Sequence, residues 1–214
     1  MAENIPLEIA TLQDIDGVLS LQELYLVSNL TEAEKEFGFV TTPFTIAQLI
    51  EVIENKGLFI AKDNQKVIAY IFAESWTFFN QWPIFNYMSS LFPNLTFQDF
   101  NTITTTNSFQ YGPICIHADY RGKGLIRPLF EFMRSHIVER YPLALTFINK
   151  KNIPSLKAHS EKLQWTIIGD FQFNNNDYFI MAYDMKKAIC KQAITIKSIG
   201  IITGIKYLEK LSAF

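Results

Sequence analysis

Between Phe109 and Asn149 the chain runs through an apolar, β-prone segment, a loop holding Gly122 and Gly124, an amphipathic segment and a second apolar segment. Phe109–His117 reads as a strand, Leu129–Tyr141 as a helix, and Leu143–Asn149 as a strand too uniformly apolar for an exposed edge. A helix joining two such strands is the crossover that a parallel pair requires. Everything else in the sequence has to be arranged around that unit.

The flanking segments carry antiparallel patterns. Leu58–Ala61 and Val67–Ala73 are β-prone runs joined by Lys62, Asp63, Asn64 and Gln65, the form of a hairpin. Trp165–Phe173 and Tyr178–Met185 form a second, around Asn174, Asn175, Asn176 and Asp177, which tolerate turn conformations. Near the start, Leu7–Ala10 reads as a short strand, and Ile15, Val18, Leu19, Gln22 and Leu26 follow at helical spacing behind Asp14. Thr45 and Gln48 have capping-box spacing before the stripe Ile46, Leu49, Ile50 and Ile53, with Gly57 closing that helix. The fold class is therefore α+β with α/β/α layering: one mixed sheet, mostly antiparallel, with a single parallel crossover.

The expected organisation is one domain over 1–185, with an aromatic-rich insertion at 76–106 and a short appendage at 186–214. Trp76–Thr106 is long for a connection, so it should be structured and contain helical pieces. With 214 residues, 49% of them hydrophobic, the chain can bury a full core. A formal charge of -2 offers no overall positive field for nucleic acid or an anionic membrane. Cys115 and Cys190 lie far apart and outside any paired metal or redox spacing, which suits a reducing compartment and gives no metal site. MAENIPLEIA lacks a basic stretch before an apolar run, and Ala193–Ile205 is too short and too interrupted to span a bilayer. A soluble, cytoplasmic protein is expected.

The string YGPICIHADYRGKGLIRPLFEFM carries the chemistry. Glycines between a strand and a helix let backbone approach a ligand closely, and the first N–H groups of the helix make a pyrophosphate site. Pro128 is tolerated only in a first turn, so the helix should begin close to Gly124. Arg121, Lys123 and Arg127 add cations suited to the phosphates of a nucleotide such as CoA. The plain alternative is a surface loop with solvated charges, but its place inside a crossover favours binding.

These residues resemble the GNAT N-acetyltransferase superfamily, whose signature is Arg or Gln, two residues, Gly, one residue, then Gly or Ala. Here the positions are Arg121, Gly124 and Ile126, with Ile126 in place of the small residue. Downstream, NIPSLKAHSEKLQW has Asn152 as a helix cap, Ser155 as the small residue, His159 at the family's Tyr position, and Gln164 and Trp165 where the family has Gly-Phe. The resemblance covers about Leu7 to Met185. It implies a V-shaped splay between the fourth and fifth strands, with acetyl-CoA held by Ile114, Cys115, Ile116, Arg121, Gly122, Lys123, Gly124, Leu125, Ile126, Arg127 and Asn152.

The implied activity is acyl-CoA-dependent N-acetyl transfer from acetyl-CoA to a primary amine, by direct attack while both are bound. His159 would then handle the proton of the departing thiolate, and Glu74, or less directly His117, would serve as base. For His159 the alternative is a packed histidine bonded to a carbonyl; for Glu74, a solvated strand end. Cys115 reads as a buried, inert thiol. Trp76, Phe79 and Trp82, with Phe78 and Phe85, are candidates for an acceptor wall through burial and cation–π contact, or else the core of the insertion. The aromatic segment is also a candidate surface for a homodimer, and the tail is expected to dock either on its own domain or on a partner subunit. A catalytically silent acyl-CoA sensor with the same fold is the alternative function, and a transferase using another nucleotide a third.

Overall fold

The computed structural model describes residues 5–189; Cys190, the apolar stretch 193–205 and most of the expected 186–214 appendage lie outside the described residues. Strand β1 (Leu7–Ile9) leads into α1 (Ile15–Tyr25), started by Thr11, whose N–H donates to the Asp14 carboxylate at 2.8 Å. After α2 (Glu32–Lys35) comes α3 (Ile46–Glu54), where the Thr45 N–H donates to Gln48 Oε1 at 2.8 Å and the Gln48 N–H to Thr45 Oγ1 at 3.4 Å. This is the reciprocal cap its spacing anticipates.

β2 (Leu58–Asp63) and β3 (Lys66–Glu74) form the first hairpin, turned by Asn64 and Gln65 at positive φ. The aromatic segment then builds α4 (Trp76–Phe79) and α5 (Pro83–Ser90). The crossover follows as β4 (Ser108–Ile116), α6 (Ile126–Ile137) and β5 (Leu143–Asn149). α7 (Ile153–Lys157) runs into a π turn over Ala158–Lys162, and β6 (Thr166–Phe173) and β7 (Asn176–Asp184) close the fold as a hairpin. α6 starts three residues before the apolar stripe suggested, at Ile126, because Pro128 in the first turn forfeits no hydrogen bond. It ends at Ile137 rather than Tyr141.

The seven strands form one sheet in the order β1-β2-β3-β4-β5-β7-β6, parallel only between β4 and β5. Leu129, Phe130, Met133 and Ile137 of α6, at steps of one, three and four, bury against Ile71, Tyr111 and Met181 on one face. Val18 of α1, Leu49 and Val52 of α3, and the aromatic segment bury against Tyr70 and Phe72 on the other. Each such fully buried side chain contributes about 1.5 to 3 kcal/mol, so both faces are held firmly against the sheet. No helix among the described residues is long and apolar enough to cross a membrane.

The parallel ladder is short. It pairs Ser108, Phe109 and Gln110 with Leu143, Ala144 and Leu145 and then stops, while β5 goes on pairing with β7 as far as Asn149. The cause lies in β4: Ile71 faces Ile114 but Ala73 faces Tyr111, so β4 holds one residue more than β3 across that interval. Gly112 takes φ +101 there, and a cis peptide joins it to Pro113, which has no N–H to give a ladder. The bulge bends β4 away from β5 and opens the expected V.

Gln164 marks a local strain, since it holds φ +61 between the π turn and β6. A left-handed non-glycine residue costs roughly 1 to 2 kcal/mol, and glycine returns part of that gain as unfolded-state entropy. Gln164→Gly should therefore raise unfolding free energy in chemical denaturation by roughly 0.5 to 1 kcal/mol, whereas Gln164→Val should lower it.

Candidate active site

The loop before α6 presents backbone rather than side chains. Gly122 and Gly124 have φ of +73 and +86, and a Cβ on either would meet nothing within 4 Å. Among the described residues, no backbone carbonyl accepts from the N–H groups of Gly122 through Arg127, and Leu125 provides no side-chain cap. Free N–H groups at a helix start, beside open space, form an anion cradle. The cleft in front of it measures about 580 Å³ and reaches from this loop past α7 to the splayed half of β4.

Along that strand the backbone is also available. His117 donates its N–H to Ile68 of β3 at 2.8 Å, and alternate residues of an antiparallel strand face the same partner. Cys115 is therefore paired with β3, and Ile114 and Ile116 turn their N–H and C=O groups towards the gap. Ile116 C=O is taken by Arg121, whose Nε donates to it at 2.8 Å. Arg121 also donates to the Phe37 carbonyl at 2.7 Å and stacks on the Tyr25 ring at 4.4 Å. It braces the cleft wall instead of reaching freely for a phosphate. Arg127 donates its Nε to the Lys162 carbonyl at 2.8 Å, and Lys123 lies over the Tyr120 ring at 5.5 Å, outside the cleft lining. Lys157 and Lys162 do line it, at positions the loop motif does not reveal.

A smaller cavity of about 80 Å³ lies on the other side of the gap, and Phe39, Ile114, Asn152, Ser155 and His159 border both spaces. Asn152 caps α7 by accepting the Ser155 N–H at 3.3 Å, and its Nδ2 donates to the Phe39 carbonyl at 3.1 Å. Where the two spaces meet, His159 is 2% exposed, with Nδ1 2.7 Å from the Ser155 carbonyl. That contact requires the proton on Nδ1, which leaves Nε2 a bare acceptor, and Nε2 has no partner. Burial pulls its pKa down to about 4 although the Ser155 carbonyl opposes this, so the ring is neutral at pH 7. The Tyr111 ring, 5.5 Å away, and the Trp165 ring, 5.7 Å away, enclose it edge-on.

Several candidates from the sequence place their side chains elsewhere. Glu74 is 2% exposed and borders neither space: Oε1 accepts the Ser75 N–H at 2.6 Å, and Oε2 is 2.9 Å from where a Cβ on Gly57 would stand. His117 caps the turn after β4, accepting the Asp119 N–H at 3.3 Å. The Cys115 side chain points into the core beside Tyr70, and burial pushes its thiol up to about 12, against the pull of Arg121. Trp76 and Phe79 are packed core residues, the Trp76 indole donating to Ser108 Oγ at 3.0 Å, and Trp82 leans on Phe44, Phe78 and Phe79. Of that aromatic group only Phe85 reaches the smaller cavity, joined by Gln110, Thr146, Phe147 and Tyr178, which no motif singled out.

The His159 geometry sets a pH dependence. Below about 6.5 the unfolded chain takes up a proton there, while the buried ring resists until about 4, so stability is complete above that window and falls through it. A gap of that size is worth roughly 3 kcal/mol. His159→Gln should remove about that much of the difference in unfolding free energy between neutral pH and pH 4, measured by denaturant titration of both proteins.

No protein-family model matches the sequence, and no curated protein matches it. Solved structures do match. An N-acetyltransferase from Staphylococcus aureus Mu50 is 18% identical over 86% of this chain and 99% of its own, with a TM-score of 0.54. For yncA from Salmonella typhimurium, in a structure with its cofactor acetyl-CoA, the values are 12%, 89%, 99% and 0.56. For the PaiA N-acetyltransferase from Thermoplasma acidophilum, in complex with coenzyme A, they are 10%, 85%, 99% and 0.56. With its mixed sheet and single parallel pair, the chain thus has the GNAT N-acetyltransferase fold.

Proposed function

We propose that the chain is an acyl-CoA-dependent N-acetyltransferase that moves an acetyl group from acetyl-CoA to a primary amine while both are bound. The observation that carries this reading is the run of unpaired N–H groups from Gly122 to Arg127, opening into a cleft that shares Phe39, Ile114, Asn152, Ser155 and His159 with a second cavity. A volume of about 580 Å³ suits a cofactor-sized ligand. When bound, acetyl-CoA supplies the thioester carbonyl that the amine attacks.

The chain's own groups divide the work. The Gly122–Arg127 amides would hold the diphosphate, and Lys157 and Lys162 would add charge at the rim. Ile114 and Ile116 would offer backbone groups to the amides of the pantetheine arm. The Ile114 N–H, at the border of both spaces, would stabilise negative charge developing on the carbonyl oxygen. Alignment of two substrates on either side of the gap would supply much of the rate. As the C–N bond forms the nitrogen becomes acidic, so even a weak base can take its proton. His159 Nε2 is such a base at that junction, and it would hand the proton to sulfur as the C–S bond breaks.

A second reading, a CoA-thioester binder without turnover, is favoured by one observation: in its resting tautomer His159 has no proton to give to a thiolate. Release of free thiol in the presence of an amine panel separates the two.

Binding itself is tested by melting. At 100 times its dissociation constant, acetyl-CoA should add about 2.7 kcal/mol of stability, which corresponds to roughly 5 to 10 °C. Gly124→Val, which forces a β-branched residue to positive φ and places methyls in the cradle, should abolish most of that shift. No shift in the unaltered protein would sink the reading.

A further inference from the structure

The smaller cavity carries information about the acceptor. Among the described residues, none of those lining it is Asp, Glu, Lys or Arg. Its walls include Phe39, Phe85, Phe147 and Tyr178, with Phe85 and Phe147 ring centroids 5.1 Å apart and Phe147 and Tyr178 5.4 Å apart. An alkylammonium entering here would find no carboxylate. Cation–π attraction is worth about 0.5 to 2 kcal/mol, less than the several kcal/mol needed to take an ammonium out of water.

Gln110 Oε1, with His159 Nε2 and Tyr111 OH, is one of three buried polar atoms without a partner on residues that line this space. Gln110 is 3% exposed and occupies the last paired position of the parallel ladder, opposite Leu145, at the vertex of the V. Its Nε2 donates to the Tyr111 carbonyl at 2.8 Å, which fixes the amide orientation, because the flipped amide would set oxygen against oxygen. Its Oε1 is left as a buried acceptor with nothing to accept from. Glu74 lies directly across on β3, on the side away from the gap, with its carboxylate turned to Ser75 and Gly57. Gln110 therefore stands between that carboxylate and the site.

Resting on the acetyl-transfer reading, we propose that the acceptor is a weakly basic aromatic amine that enters uncharged, and that Gln110 Oε1 positions it by accepting an N–H. Such an amine carries no ammonium to be stripped before attack, and the unpartnered base that borders the cavity, His159 Nε2, is a weak one. Its second N–H proton leaves as the C–N bond forms and ends on the sulfur released by the breaking C–S bond. A cavity of about 80 Å³ fits a compact ring rather than a long chain.

The test compares aniline with cyclohexylamine, six-membered rings of which the first is uncharged and the second cationic at neutral pH, by thiol release at saturating acetyl-CoA. Aniline should be preferred by at least about tenfold in kcat/KM. Gln110→Leu should lower kcat/KM for aniline by about tenfold with the acetyl-CoA melting shift unchanged, and Gln110→Glu should move the preference towards cyclohexylamine. Equal or better use of cyclohexylamine by the unaltered protein overturns the inference, as does Gln110→Leu or Gln110→Glu behaving like it. In each of those cases acetyl-CoA still binds and turns over, so the transferase reading stands; loss of the melting shift in the unaltered protein overturns both.

Discussion

The structure depends on a sheet that is prevented from closing. Two apolar strands in a parallel pair, each with backbone donors and acceptors to satisfy, would zip together along their full length if nothing intervened. Here the ladder ends at Gln110 and Leu145, because Gly112 and Pro113 insert a bulge and withdraw an N–H. β5 compensates by pairing to its end with β7, and β4 by pairing with β3, so the opening costs each strand bonds on one side only. The half-free edges of β4 are what give the cleft its wall.

Around that opening the main chain lies bare and the charged residues mostly stay at the margin. Gly122 and Gly124 leave their amides exposed, while the guanidinium of Arg121, the residue that most looks like a phosphate ligand, is spent on two carbonyls and an aromatic ring. A backbone cradle of this kind tolerates low sequence identity, since many sequences can present the same amides.

The crossover and its loop were legible in the sequence because glycine, proline and apolar spacing act locally: Thr45 with Gln48, Pro128 in a first turn, and Asn152 as a cap all stand as their spacing says. What escaped was set by tertiary partners. The Gly112-Pro113 pair could be read as a weak point in a strand, but not as the vertex of a gap. Glu74 sits at a strand end as expected, yet the space left by Gly57 draws its carboxylate away from the cleft. Trp76, Phe79 and Trp82 looked like a binding wall because aromatic density marks burial without saying of what. His159 was identifiable by position, but its enclosure by Tyr111 and Trp165 and its lowered basicity depend on a π turn that no local pattern announced.

The brace made by Arg121 has a consequence for how the molecule assembles. It reaches a carbonyl 84 residues back in the chain, and Asn152 reaches one 113 residues back, both in the Phe37–Phe39 segment. Contacts between such distant positions form late, after the entropy of closing long loops has been overcome. The cleft is thus a product of the finished chain: β4 and α6 folded without the Phe37–Phe39 segment would still lack one wall.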